Sequence, residues 1–469
     1  MTILSELKAI VGDGHVLTGD DARPFAQDWT GRYRSAPLAV ARPGSTAQVA
    51  AILRLATRNR TPVVPVSGNT GLAGGTGGAD GAILLSLARM NRIREINPRA
   101  RVAVVEAGVV IETLQRAAED EDLVFPLSFG ARGSAMLGGA LSTNAGGANV
   151  LRYGNARDLC LGLEAVLPTG EVVDLMRALR KDNSGYDLRH LMIGAEGTLG
   201  VITAAVVRLF PAPRARATAM VALPALDGAL ALLNRLQDET GGAVEAFEYM
   251  PRRYLEEYLA RTPGARPPFD DAHPVNVLVE LAATAPRDAV PGPDGAVPVA
   301  AQLETVLARG LEAGDVADAV VARSEAERAE MWARREAAAE VCLAEGRVVN
   351  NDIAVPLDRV AAFLDRAGAR VAALDPAAVP LVVGHLGDGN LHYAVRLGND
   401  DAELADAVMD AVEDVVLALG GSFSAEHGIG MTKRPSMARR KDRGALHAMR
   451  AIKAALDPAG VMNPGKLLP

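Results

Sequence analysis

The sequence predicts an α+β protein of two domains with a C-terminal segment that returns to the first. Three observations carry that reading. Short β-like runs and helices follow one another irregularly over residues 45–209, unlike a repeating βαβ array. Pro211-Ala212-Pro213 then breaks the pattern. Beyond it come longer helical stretches and a strand that leads into a dense polar motif near residue 385, so the second part is expected to be α+β as well. At 469 residues the chain has room for about two to four domains. The expected boundaries are 1–213, 214–420 and 421–469.

The elements follow in order. Ser45 or Thr46 can cap a helix whose Val49, Ile52, Leu53 and Ala56 repeat at helical spacing. Pro62 ends it, and Val63, Val64 and Val66 form a short strand. Further strands are expected at 82–87, 102–107, 163–167 and 201–207, with a helix around Leu114 to Ala118. In the second half, helices are expected at 226–238 and 323–345, separated by an exposed loop at 285–298. A strand at 381–384 leads into the polar motif, and helices at 401–420 and 442–456 precede the tail MNPGKLLP.

Composition excludes several classes. With 49 basic and 57 acidic residues the net charge is −8, which argues against nucleic acid as the main partner. Only Cys160 and Cys342 are present, so a disulfide framework, a four-cysteine zinc site and a four-cysteine iron–sulfur cluster are excluded. There is no run of 18 apolar residues for a transmembrane helix, and the start is too polar for a secretory signal. The expected location is cytoplasmic.

Sixteen of the 47 glycines fall in three clusters, at 68–81, 130–147 and 194–200. The first follows a predicted strand, where glycine lets backbone N–H groups approach an anion while Ser67, Asn69 and Thr70 add donors. A pyrophosphate cradle and a set of plain turns both fit one such cluster. Three of them, interleaved with Ser, Thr and Asn, favour the cradle. No G-x-G-x-x-G occurs, so a Rossmann site has no support.

PVSGNTGLAGGT, SFGARGSAMLGGALSTNAGG, NVLRYGNARDL and IGAEGTLGVIT resemble, in order and spacing, the PCMH-type FAD-binding domain of the vanillyl-alcohol-oxidase-type flavoproteins. They look like the D-lactate, glycolate and D-2-hydroxyglutarate dehydrogenases of that family. The resemblance implies FAD, its pyrophosphate on loops matched by Ser67, Gly68, Asn69, Thr70, Gly71 and Leu72, and by Gly133, Ser134, Gly138, Gly139, Ser142, Thr143 and Asn144. It also places Pro126, Ser128, Glu196, Gly197, Gly200 and Ile202 near the cofactor, and Asn463 near the isoalloxazine ring. Some relatives attach FAD through a histidine in the first loop. Asn69 stands near that position here, so non-covalent FAD is expected.

GHLGDGNLH places His385 and His392 in one glycine-rich loop, and SAEHGIG sets Glu426 beside His427. By spacing alone these residues fit either a three-ligand metal site or polar loop positions. Two imidazoles and a carboxylate would leave coordination positions open for substrate, and the donor set suits Zn, Mn, Fe or Co. Both motifs resemble those of the metal-dependent D-2-hydroxy-acid dehydrogenases. That similarity implies His385, His392 and Glu426 as ligands of a divalent metal, zinc first, and His427 as the acid–base residue.

The expected reaction follows from these parts. A D-2-hydroxy acid would chelate the metal, which acidifies its hydroxyl. An imidazole, of ordinary pKa about 6.5, is suited to take that proton. Hydride would pass from C2 to flavin N5, leaving the 2-keto acid. Arg335 matches the family's carboxylate anchor, though an Arg/Glu-rich helix equally suits a solvated face, and Lys433 could add positive potential. Asn350, Ala394 and Ala339 depart from the D-2-hydroxyglutarate branch by removing a cation and two polar groups. That brings monocarboxylic substrates level with 2-hydroxyglutarate.

Electrons would leave to an external acceptor such as an electron-transfer flavoprotein or a quinone, and a homodimer is compatible with the resemblance. Two alternatives stand beside this reading. One is a flavin subunit of a glycolate-oxidase-like complex, inactive alone. The other is a non-redox flavoprotein of the same fold, such as the alkyl-ether-lipid synthases.

Overall fold

A computed structural model describes residues 2–293, 295–344 and 346–469. Asp294, inside the expected 285–298 loop, and Glu345, at the end of the expected 323–345 helix, lie outside the described residues. The chain forms two compact units. The first comprises the residues up to Gly146, then Tyr153–Pro211 and Glu426–Pro469, and the second Gly147–Arg152 with Ala212–Ala425.

In the first unit the helix Thr46–Asn59 begins where its cap predicts, with the Ser45 side chain accepting from the Gln48 amide. Val49, Ile52, Leu53 and Ala56 are all buried. The strand Val63–Val66 follows and pairs in parallel with Ile83–Ser86, which also pairs with Ala39–Ala41. A second, antiparallel sheet runs in the order Ile93–Asn97, Val102–Glu106, Val201–Arg208, Cys160–Val166, Val172–Leu175. The first glycine-rich loop leaves Val63–Val66, and the third leads into Val201–Arg208. The C-terminal segment joins the same unit, since Met462 forms a parallel bridge with Val63.

The second unit is α+β, as expected, but most of its strands are not among those read from the sequence. Its frame is a seven-stranded sheet in the order Asp318–Val321, Ala215–Leu223, Val275–Ala283, Val244–Pro251, Val379–His385, Asn390–Arg396, Val348–Ala354. The long strands Ala215–Leu223 and Val275–Ala283 do not alternate apolar with polar, because both faces of the sheet are covered. Along Ala215–Leu223, Ala219 and Val221 pack with the helices Asp227–Thr240, Pro298–Ala313, Val360–Leu374 and Ala402–Ala418. Met220 and Ala222 face the opposite core, with Tyr254, Met331, Val341 and Cys342. Two-sided burial removes the period-two signal that marks a strand in sequence.

The Arg/Glu-rich helix is also shorter than expected. Glu325–Glu336 ends at Ala337, and Ala338–Cys342 continues as a separate turn. Residues 147–152 pack with the second unit despite their place in the expected cofactor domain: the Arg152 guanidinium donates to the Ala282 carbonyl at 2.6 Å.

Candidate functional site

Two clusters of residues in the chain are candidate sites. The first lies in the first unit. Ser67 to Leu72 leave the strand Val63–Val66, and Gly133 to Thr143 lead through the short helix Leu137–Thr143. These two loops touch. A Cβ on Gly68 would collide with the Ser134 carbonyl, and one on Gly138 would lie 2.7 Å from the Ala107 Cβ. Asn69, at φ +52°, ties its own loop by donating to the Gln27 carbonyl and accepting from the Thr76 hydroxyl at 2.6 Å. Ser142 and Thr143 turn their hydroxyls back onto the Gly138 and Gly139 carbonyls. Asn144, at φ +54°, accepts from the Arg157 amide.

The third glycine cluster brings Glu196 beneath these loops. Its amide donates to the Ser142 carbonyl, and its carboxylate accepts from the amides of Ile429 and Gly430, both at 2.7 Å. Burial pushes this carboxyl above the usual range, with the two amides and Lys433 opposing. Gly197 packs on Pro65, Gly200 lies against the Val166 carbonyl, and Ile202 is buried in the sheet. Pro126 and the half-exposed Ser128 flank Leu127, whose carbonyl is held by Gln115. Lys433 is buried in the same unit.

Asn463 closes this unit. Its amide nitrogen donates to the carbonyls of Glu196 and Gly75, while its own Oδ1 is buried without a hydrogen-bond partner. No side chain stands within 4 Å of where a Cβ would sit on Gly71, Gly75 or Gly130. An orphaned acceptor held next to Gly75, where a Cβ would meet nothing within 4 Å, fits a bound cofactor with its own donors, as FAD has. Lys466 was not foreseen from the sequence: it is buried, and burial beside Arg434 pushes its ammonium down to about 8.

The second candidate site lies on one face of the seven-stranded sheet. His385 ends the strand Val379–His385 and His392 lies on the paired strand Asn390–Arg396, their rings 5.4 Å apart at 80°. Gly389, at φ +81°, permits the turn between them, and a Cβ there would collide with the Val355 carbonyl. His385 Nδ1 lies 2.9 Å from Glu248 Oε1, and Glu248 Oε2 accepts from Arg335 Nε at 2.7 Å. Arg335 Nη2 stands 3.4 Å from His385 Nε2. Arg335 is thus 8% exposed and points into the sheet, not onto a solvated helix face. Burial would raise the Glu248 carboxyl, but His385 and Arg335 hold it below the usual range.

His392 is backed by Asp352, its register partner, with Nδ1 3.8 Å from Oδ1. Asp352 is wholly buried and accepts from the Asn390 amide at 2.9 Å. It also accepts from the amide of Ala425, the residue preceding Glu426 and His427. Glu248 and Asp352 were both missed in the sequence. They lie far from the histidines along the chain, and sheet register alone brings them in.

Comparison with known proteins places the chain. Residues 37–176 match the family model for the FAD binding domain, and residues 212–467 that for FAD linked oxidases, C-terminal domain. A D-2-hydroxyglutarate dehydrogenase of Xanthomonas citri pv. viticola is 38% identical over 95% of this chain and 92% of its own. The mitochondrial D-2-hydroxyglutarate dehydrogenase of Bos taurus is 37% identical over 99% of this chain and 83% of its own. Among solved structures, p-cresol methylhydroxylase with substrate bound superposes with a TM-score of 0.73 at 15% identity, covering 99% of this chain and 96% of that one. That likeness shows the vanillyl-alcohol-oxidase-type fold. The chain belongs to the FAD-linked oxidase family. Within it, the chain is a FAD-dependent D-2-hydroxy-acid dehydrogenase. No helix among the described residues is long and apolar enough to cross a membrane.

Proposed function

We propose that the D-2-hydroxy acid is oxidised at a divalent-metal site of His385, His392 and Glu426, with His427 as general base and Arg335 as carboxylate anchor. The observation that carries this reading is the imidazole pair on adjacent strands, 5.4 Å apart, with His385 hydrogen-bonded to the buried Glu248 and the buried Asp352 3.8 Å from His392. A carboxylate hydrogen-bonded to the second ring nitrogen, as at His385, is what metal-bound histidines ordinarily have. When bound, the metal would supply Lewis acidity at the substrate hydroxyl and non-covalent FAD would accept the hydride.

The chain's own residues do the rest. Glu248 holds the Nε edge of Arg335, so the terminal nitrogens of the fork address the substrate carboxylate. Asp352 holds the Ala425 amide. His427 would take the hydroxyl proton at its ring nitrogen. Lys433 and the cofactor positions from Ser67 to Asn463 are assigned by the same family resemblance. A cytoplasmic location, an external acceptor such as an electron-transfer flavoprotein or a quinone, and a homodimer belong to this reading.

The substrate's side chain would meet Asn350 and Ala394, which face each other across paired strands. Ala394 packs among Leu381, Val383, Met250 and Cys342, so the wall is apolar on its side, while Asn350 offers an uncharged amide. It favours a monocarboxylic D-2-hydroxy acid with an apolar side chain. The names of the relatives favour a second reading, D-2-hydroxyglutarate. Anaerobic bleaching of the flavin by a panel of D- and L-2-hydroxy acids decides between them. D-2-hydroxyglutarate as far the best substrate would overturn the apolar reading. Unchanged reduction after a chelator strips the metal would sink the metal site, and no bleaching by any member would favour a subunit silent without partners.

A further inference from the structure

We propose that Glu248 is a positioning residue of this centre, one buried carboxylate setting both the tautomer of His385 and the fork of Arg335. The inference rests on the metal-site reading above and extends it to a residue outside the ligand set. Glu248 and His385 are direct register partners on antiparallel strands, so their side chains emerge on the same face of the sheet. Backbone pairing, not a flexible loop, brings them together.

The hydrogen-bond chemistry then admits one arrangement. An ionised carboxylate only accepts, so the His385 Nδ1 facing Glu248 at 2.9 Å carries the proton. A guanidinium only donates, so the Nε2 facing Arg335 at 3.4 Å carries the lone pair. Both neighbours demand the same tautomer. The lone pair at Nε2, which here faces Arg335 Nη2, is the one a divalent cation would take on a neutral imidazole in that donor's place. The other oxygen of Glu248 is committed to Arg335 Nε at 2.7 Å. Glu248 is therefore no ligand itself, and the residue that orients a metal-binding ring also sets the angle of the carboxylate anchor. A merely structural ion pair would hold Arg335 without needing the imidazole in one tautomer.

Glu248→Gln tests this, because its amide nitrogen cannot accept and one of the two donors must lose its partner. The protein used is the full FAD-loaded chain. Zinc affinity is measured by competition with a chromophoric chelator, and the His385 tautomer by nitrogen NMR of histidine-labelled protein. The expected result is a loss of zinc affinity of roughly 10- to 100-fold together with loss of the Nδ1–H signature. Glu248→Asp, which keeps the charge, should keep the tautomer and bind zinc with intermediate affinity, and it serves if the glutamine variant does not fold. Unchanged zinc affinity and an intact tautomer in a variant that is only less heat-stable would overturn the proposal. A wild-type chain that takes up no zinc would overturn the metal site instead, and the tautomer signal would still decide the role of Glu248.

Discussion

Gly68 and Gly71 are three residues apart in one loop and differ in what surrounds them. A methyl group on Gly68 would strike the Ser134 carbonyl, whereas one on Gly71 would meet nothing within 4 Å. Gly68→Ala should therefore destabilise the fold by about 1–3 kcal/mol, as overpacking does. Gly71→Ala should leave the melting temperature of the flavin-free protein unchanged and weaken flavin retention. Equal losses of stability in the two variants would contradict this division between a packing glycine and a ligand-facing one. The sequence shows the cluster but not the division, since both residues sit in the same run SGNTG. Likewise GHLGDGNLH and SAEHGIG were legible because their residues are close in the chain. Glu248 was not, at 137 residues from His385, and no local spacing encodes that distance.

At the scale of elements, the helix Glu325–Glu336 shows how a charged stretch is held against a sheet. Arg328, Trp332 and Arg335 recur at i, i+4 and i+7, which places them on one helix face. Glu280, buried on its strand, accepts from Arg328 at 2.7 and 2.8 Å, from Trp332 Nε1 at 2.9 Å and from Thr218 at 2.7 Å. Burial would raise its carboxyl, but Arg328, Trp332 and Thr218 hold it below the usual value of 4.5. The depressed folded-state pKa gives a definite sign. The stability it contributes is present above the unfolded value and lost as pH falls through the folded one. Glu280→Gln should be less stable than the wild type at neutral pH, by about 1–3 kcal/mol, with the gap closing in acid. Trp332, one of two tryptophans, reports the change by its emission. A gap that stays constant with pH would count against the carboxylate as the anchor. In sequence this helix read equally as a solvated face, because partners on other strands are invisible to periodicity. The long strands were missed for a related reason: helices on both faces replace alternation with continuous apolar runs.

At the scale of the molecule, the first unit is built from both ends of the sequence. Met462 bridges Val63, and Asn463 holds the carbonyls of Gly75 and Glu196. Lys453 reaches the Thr198 and Met462 carbonyls together with Asp457. In return, Glu196 caps the amides of Ile429 and Gly430. A chain ended after Ala425 would lose all of these contacts. It should purify without the visible absorbance of flavin, and a yellow truncated protein would refute that expectation. The family motifs made the cofactor domain readable, and the tail MNPGK signalled the return. In the sheet that lies between the two halves of this unit in the chain, a family motif marks only the strands Val379–His385 and Asn390–Arg396.

That discontinuity has a consequence for synthesis. The second unit's main segment, Ala212–Ala425, is 214 residues long, from 425 − 212 + 1. At the usual 5–20 residues per second, a ribosome needs on the order of ten to forty seconds to make it. For that interval the glycine loops exist without Asn463, and the Glu196 carboxylate without the amides that cap it. A nascent chain can fold much of its first sheet early, yet it cannot seal the cradle. Flavin loading is thus expected only after residues 426–469 have emerged.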